Sequence, residues 1–177
     1  MDYFDYKTHV RPATGRLLLS EPSLPDENFE RSVILLCAHD AEGSFGFVMN
    51  KPSETLVGSV LEGFPESDQV AFVGGPVGLD TLHLIHSFSS VEGAQQIIPG
   101  VFWGGDPDEI RELAVLGRCG SERIRFMLGY SGWGPGQLDE EMRSNSWIVS
   151  DQFDARLLFE VNPDAMWVTA LRNLGGR

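Results

Sequence analysis

The residues of this chain best suited to chemistry are its two cysteines and four histidines. Cys119 lies in the turn-like sequence Arg118-Cys119-Gly120-Ser121, with Arg123 close by, and neighbouring cations lower the pKa of a thiol. Cys119 is therefore the candidate redox residue. No histidine or aspartate partner can be assigned to it from the sequence, so an inert turn cysteine is the competing interpretation.

The other chemistry-bearing side chains form no catalytic or metal-binding pattern. His83 and His86 are an odd number of residues apart, so a strand would direct them to opposite faces. Cys37 and His39 can share a face, but two ligands do not make a zinc site. The sequence therefore predicts no catalytic residue, no metal site and no cofactor.

Three glycine- and proline-rich segments follow predicted strands, where binding residues are often found. If the segments converge, they combine a lysine, an amide and a rigid aromatic ring in one ligand-binding surface. The predicted binding residues are Asn50, Lys51, Pro52, Gly74, Gly75, Pro76, Gly132 and Trp133. The alternative is that all three segments are corner turns of a bent sheet. A phosphate site is disfavoured, because carboxylates already follow the third segment at the start of the next predicted helix.

The elements that must position these residues are mostly short strands joined by tight turns. Helices are predicted at 106–116, where Asp106 and Pro107 form a cap, at 162–174, at 54–63 and at 136–143. The order of elements has no βαβ rhythm, which favours the α+β class. Strands are predicted at 16–20, 32–39, 46–50, 70–73, 81–87, 95–98, 101–103, 123–130 and 147–150.

Two of these strands carry further information. Residues 32–39 are apolar on both alternating faces, which predicts a strand covered on both sides. Residues 123–130 alternate, which places Arg123 and Arg125 on a face that we expect to be wet. The length of 177 residues predicts one domain, residues 15–177, preceded by an N-terminal arm, residues 1–14.

Composition excludes several classes of partner. The chain has 13 Lys+Arg against 26 Asp+Glu, so its formal net charge is −13, which disfavours nucleic-acid backbones and anionic membranes. The longest apolar run has six residues, whereas a membrane-spanning helix needs about 20. Two cysteines form no disulfide framework. We therefore expect a cytoplasmic protein with an unknown protein or small-molecule partner, and a homo-oligomer through a free sheet edge is possible.

Four segments taken together resemble the AlgH/YqgE family of small bacterial proteins. They are LLSEPSLPDENFERSV at 18–33, GFVMNKP at 46–52, GGPV at 74–77 and GYSGWGPGQL at 129–138, with a further match near Asn145 and Trp147. The resemblance runs from about Gly15 to the C-terminus. It implies an α+β fold in which a bifurcated, strongly bent and mostly antiparallel sheet forms a pseudo-barrel flanked by helices. It does not imply a reaction, because the activity of the family is unsettled.

These observations favour a non-enzymatic regulatory or interaction protein that binds a partner or a small ligand. The first alternative is an enzyme that acts on a small anionic metabolite near Lys51. The second is a transcriptional regulator that binds DNA directly, as the name of one branch of the family suggests. The net charge of −13 opposes it, and no basic recognition helix is visible.

Overall fold

A computed structural model of the protein describes residues 10–22 and 30–175. Most of the predicted arm therefore lies outside the described residues. Within them the elements are, in chain order, β1 (Leu17–Ser20), β2 (Val33–Asp40), β3 (Gly43–Val48), β4 (Pro52–Leu56), α1 (Val57–Val60), β5 (Val70–Val73), β6 (Val77–His86), β7 (Gln95–Ile98), β8 (Val101–Trp103), α2 (Pro107–Val115), β9 (Ile124–Trp133), α3 (Gln137–Arg143), β10 (Trp147–Ser150), α4 (Ala155–Phe159) and α5 (Pro163–Gly175).

The sheet branches at β9. Its main path runs β10-β1-β2-β3-β9-β6-β8-β7, and a side branch joins β4 to β5 and β5 to β9. Every pairing is antiparallel except that of β5 with β9. Phe72 and Val73 of β5 pair with the first half of β9, and β3 pairs with the last three residues of β9. The predicted bifurcated, mostly antiparallel sheet is confirmed.

The sheet bends until its two ends share one hydrophobic core. Leu17 of β1 and Ile148 of β10 lie in the same buried cluster as Ile97 of β7 and Val101 of β8, although these pairs of strands stand at opposite ends of the path. No ladder joins β10 to β7 in the described part of the chain, so the sheet is not closed. The α+β class, the single domain and the flanking helices are confirmed.

The predicted helix at 54–63 is wrong over its first three residues and too long at its end. Residues 52–56 form β4, and the helix that follows covers only Val57–Val60. Pairing with β5 overrides the local preference of these residues for a helix. Pro52 and Leu56 stand opposite Phe72 and Val70 of β5. Ser53 Oγ also donates a 2.5 Å hydrogen bond to Ala71 O.

The expectation of a wet face on the predicted strand at 123–130 is confirmed at Arg123, which is exposed, and is wrong beyond it. Arg125 is 5% exposed and Met127 is fully buried, because a hydrophobic cluster packs on each face of the strand. The cap of α2 agrees with the prediction: Asp106 accepts a 2.9 Å hydrogen bond from the backbone N–H of Asp108. The short helix α4 was not predicted, since five residues are too few to show a clear apolar period.

Candidate functional site

Two of the three glycine- and proline-rich segments meet where β5, β3 and β9 come together, a region we call the fork. The backbone N–H of Val73 donates to Lys51 O, and that of Val48 donates to Gly74 O, both at 2.8 Å. The N–H of Gly74 donates to Leu128 O at 2.8 Å. Three chain segments are thus joined through their backbones within a few residues of Gly74.

The glycines of the fork are required by the close approach of these backbones. A Cβ on Gly74 would stand 2.5 Å from Gly129 O. Gly75 has a φ of +155°, and a Cβ there would overlap the backbone of Tyr130 and Ser131. Gly74 and Gly75 therefore position strands, and neighbouring main chain occupies the space that a side chain would fill.

The side chain of Asn50 also has a structural task. Its Oδ1 accepts a 3.0 Å hydrogen bond from the N–H of Val33, and its Nδ2 donates to Arg31 O at 2.9 Å. These two bonds tie the end of β3 to the start of β2. Lys51 beside it is half-buried, and Pro52 begins β4 in an exposed position. A binding role for these residues remains a prediction.

Trp133 was predicted to present its ring on this surface, and that placement is wrong. Only 6% of Trp133, the last residue of β9, is exposed, because its ring packs against Trp147 with ring centroids 6.1 Å apart. Its Nε1 donates a 3.0 Å hydrogen bond to Glu141 Oε1, which also accepts a 2.8 Å bond from Trp147 Nε1. Gly132 stays exposed opposite Phe45 of β3, away from the buried ring.

A bulge in β6 supplies surface that the sequence interpretation missed. Val77 stands opposite Tyr130 and Leu82 opposite Leu128, so β6 carries three extra residues between these two pairings. Thr81 Oγ1 donates a 2.6 Å hydrogen bond to Gly78 O across the loop thus formed. The glycine at 78, with a φ of +59°, was the available signal, since a glycine inside a strand often marks a bulge.

The bulge leaves apolar side chains in solvent beside the fork. Val77 is 40% exposed and Leu79 is 55% exposed, and the Cδ2 of Leu79 lies 3.1 Å from where a Cβ of Gly129 would be. We use the name fork surface for the exposed or half-buried residues Lys51, Pro52, Pro76, Val77 and Leu79.

The expected lowering of the pKa of Cys119 is wrong. The thiol is buried, and burial raises its pKa to about 11 even though the charge of Arg123 acts in the opposite direction. Its Sγ donates to Ile110 O at 3.5 Å. Desolvation outweighs the neighbouring cation, so the thiol is protonated at neutral pH, which does not favour the redox candidate.

The histidines are held by hydrogen bonds and by aromatic rings. His86 is fully buried; its Nδ1 accepts from the N–H of Phe88, which leaves Nε2 to donate to Gly104 O at 2.7 Å. Burial lowers the pKa of His86, and of His83 as well. In the described ranges, no three His, Cys, Asp or Glu side chains are grouped as a metal site requires.

Comparison with known proteins identifies the family. The AlgH-like family model matches residues 17–177, which is nearly the whole chain. The chain belongs to the AlgH-like family. The predicted family membership is thus confirmed. Separately, no helix in residues 10–22 and 30–175 is both long and apolar enough to cross a membrane.

Individual AlgH-like relatives agree in sequence and in structure. A UPF0301 protein of Chlorobaculum tepidum is 42% identical over 92% of this chain and 87% of its own length, and one of Cytophaga hutchinsonii is 40% identical over 92% and 90%. The solution structure of AlgH from Pseudomonas aeruginosa matches with a TM-score of 0.76 at 27% identity, covering 96% of this chain and 93% of that one. A crystal structure from Corynebacterium diphtheriae, at 24% identity and a TM-score of 0.74, covers 92% and 87% and shares the fold.

Proposed function

We propose that this AlgH-like protein is a non-enzymatic regulatory or interaction protein whose fork surface binds a partner protein. The observation that carries the proposal is the bulge of β6, which holds Val77 and Leu79 in solvent next to Pro76. Exposed apolar side chains grouped on a surface mark interaction sites.

The backbone beneath the fork surface supports the same proposal. Gly74 and Gly75 are packed against main chain on β9, and Asn50 fixes the start of the segment that leads to Lys51. A surface built on a rigid backbone loses little conformational freedom when a partner binds. Apolar side chains at the centre of a surface with polar side chains around them are typical of protein interfaces.

The test replaces Leu79 with a photo-crosslinking amino acid in cells that normally express the protein. We expect one discrete adduct with a second protein, and none from the same replacement at Glu112, a polar residue that is exposed on α2 and serves as the control. Unmodified protein should compete for that adduct, whereas Leu79→Asp should compete about 30-fold less well, as expected for the loss of a central apolar contact. Equal adducts from both positions, or none, would refute the proposal.

A small ligand at the same surface is the second form of this proposal. A thermal-shift screen of nucleotides, coenzymes and organic acids would detect it, since a ligand at about one hundred times its Kd adds about 2.7 kcal/mol, or roughly 5–10 °C for a domain of this size. A shift that is lost in Lys51→Ala would locate the ligand at the fork surface. The enzyme acting near Lys51 and the DNA-binding regulator remain predictions with no added support from the geometry.

A further inference from the structure

A cleft of about 530 Å³ lies between two segments of the chain, and none of the residues of the fork surface lines it. One wall is the segment from Phe64 to Phe72, and the other is the turn from Gly117 to Ser121 between α2 and β9. This volume is within the usual range for small-molecule pockets, about 300–1,000 Å³. The cleft contains one basic side chain among the described residues that line it, which is Arg125.

Arg125 is a buried cation with no salt bridge in the described structure: burial lowers its pKa, and the charge of Glu122 opposes that effect without forming an ion pair. It is 5% exposed; its Nη1 donates to Ser121 O and to Ile124 O, and its Nη2 donates to Phe159 O at 3.1 Å. Backbone carbonyls satisfy hydrogen bonds but do not neutralise a charge, and no ion pair to Arg125 occurs in residues 10–22 and 30–175. Buried charges are normally paired, because removal from water is costly.

Two of the five N–H donors of this guanidinium have no acceptor among the described residues. They are Nε, which is buried, and the second hydrogen of Nη2. These two nitrogens form the side of a guanidinium that binds a carboxylate in a bidentate manner. The aromatic ring of Phe72 lies 5.1 Å from Cζ of Arg125 and holds the group in place at the wall of the cleft.

The other charges near the cleft restrict the anion that it can bind. Asp68 lines the wall, and the carboxylate of Glu122 lies beside Gly120. Both are exposed, so solvent and salt screen them more than they screen the buried Arg125. They would still repel an ion of high negative charge. The apolar walls at Phe64 and Phe72 suit an apolar body.

From this arrangement we infer that the cleft is a binding site for a small organic monocarboxylate. The carboxylate pairs with the charge of the Arg125 guanidinium where this side chain lines the cleft, and the apolar body packs between Phe64 and Phe72. Cys119, which also lines the cleft, contributes a protonated thiol to the wall. The inference is independent of the partner proposed for the fork surface.

The test is an NMR titration of the ¹⁵N-labelled protein with benzoate and with benzamide, its uncharged analogue. Benzoate should saturably shift the amides of Gln69, Gly120 and Ser121, and benzamide should bind about tenfold to a hundredfold more weakly, which is the value of a charge-assisted hydrogen bond. Equal binding of the two probes, no saturable shift with millimolar benzoate, or shifts confined to other residues would overturn the inference.

A pair of arginine variants tests the assignment to Arg125. Arg125→Met should abolish the benzoate shifts. Arg123→Met should leave the affinity within about twofold, because Arg123 is exposed, donates to Ser87 Oγ at 2.8 Å and lies over the ring of Phe88. If Arg125→Met fails to fold, the comparison of benzoate with benzamide on the unaltered protein still tests whether the cleft binds a carboxylate. Leu79→Asp should retain benzoate binding, which separates this site from the fork surface.

Discussion

Glu141 shows how one carboxylate can organise a hydrophobic cluster. It is one of the carboxylates at the start of the predicted helix at 136–143. In the folded chain its Oε1 accepts from the indole nitrogens of Trp133 and Trp147, and its Oε2 accepts from Gln137 Nε2 at 3.1 Å. Helix α3 is thereby joined to two strands, β9 and β10, through one side chain. The two indoles acquire fixed orientations as a result.

Removing this carboxylate should destabilise the protein far more than removing its neighbour. Glu141→Ala leaves two partly buried indole N–H groups without that acceptor, so we expect a loss of about 2–4 kcal/mol in the free energy of unfolding. Glu141→Gln keeps an oxygen acceptor and should lose about 1 kcal/mol. Glu140→Ala on the exposed side of α3 is the control and should stay within about 0.5 kcal/mol. Urea unfolding followed by tryptophan fluorescence measures all three; similar losses for Ala at 140 and 141 would contradict the assigned role.

At the scale of elements, the fork is the feature on which the topology depends. Strand β9 pairs with β5 along its first half and with β3 along its second, and the chain at Gly74 and Gly75 crosses between these two partners. Main chain of β9 lies so close to Gly74 and Gly75 that a Cβ at either position would overlap it. The sheet can therefore branch here only if both residues are glycine. The same packing supports the fork surface above it.

Gly75→Ala should therefore disrupt the branch. We expect a loss of more than about 4 kcal/mol, because the new methyl group would overlap the backbone of Tyr130 and Ser131 and because a φ of +155° disfavours alanine. Gly58→Ala in α1 is the matched control: its nearest neighbour to an added Cβ is Phe64 O at 4.0 Å, and alanine favours a helix. Thermal and urea unfolding of the two variants give the comparison. A Gly75→Ala protein as stable as Gly58→Ala would show that the branch does not depend on this glycine.

For the whole molecule, the shared core predicts cooperative unfolding. Strands from both ends of the sheet path contribute to one buried cluster, so loss of either end exposes the other. Tryptophan fluorescence and far-ultraviolet circular dichroism should give coincident urea transitions. Ile148→Ala opens a cavity in that cluster, so it should lower the free energy of unfolding by about 2–5 kcal/mol. Both transitions should move to lower urea concentration together. Separate midpoints would mean that the two ends of the bent sheet unfold as independent units.

The sequence by itself was sufficient for those features whose physical cause is local. The cap formed by Asp106 and Pro107 identified α2, since an N-cap acceptor and a fixed φ act within one turn of the chain. Apolar residues on both faces of 32–39 predicted a strand covered on both sides for the same kind of reason, and residues 33–37 of it are buried. The family resemblance supplied the bent, bifurcated sheet, which neither spacing nor composition indicates.

Only the tertiary structure decided what the remaining residues do, because their roles arise from neighbours that are distant in the chain. Trp133 follows a strand signal, but its burial depends on Trp147 and Glu141. Cys119 has cations beside it in sequence, yet desolvation sets its pKa. Arg125 alternates like a residue on a wet face, and it is buried because hydrophobic clusters pack on both sides of β9. For these three side chains the local sequence does not indicate how much water the fold removes, because that depends on neighbours from distant parts of the chain.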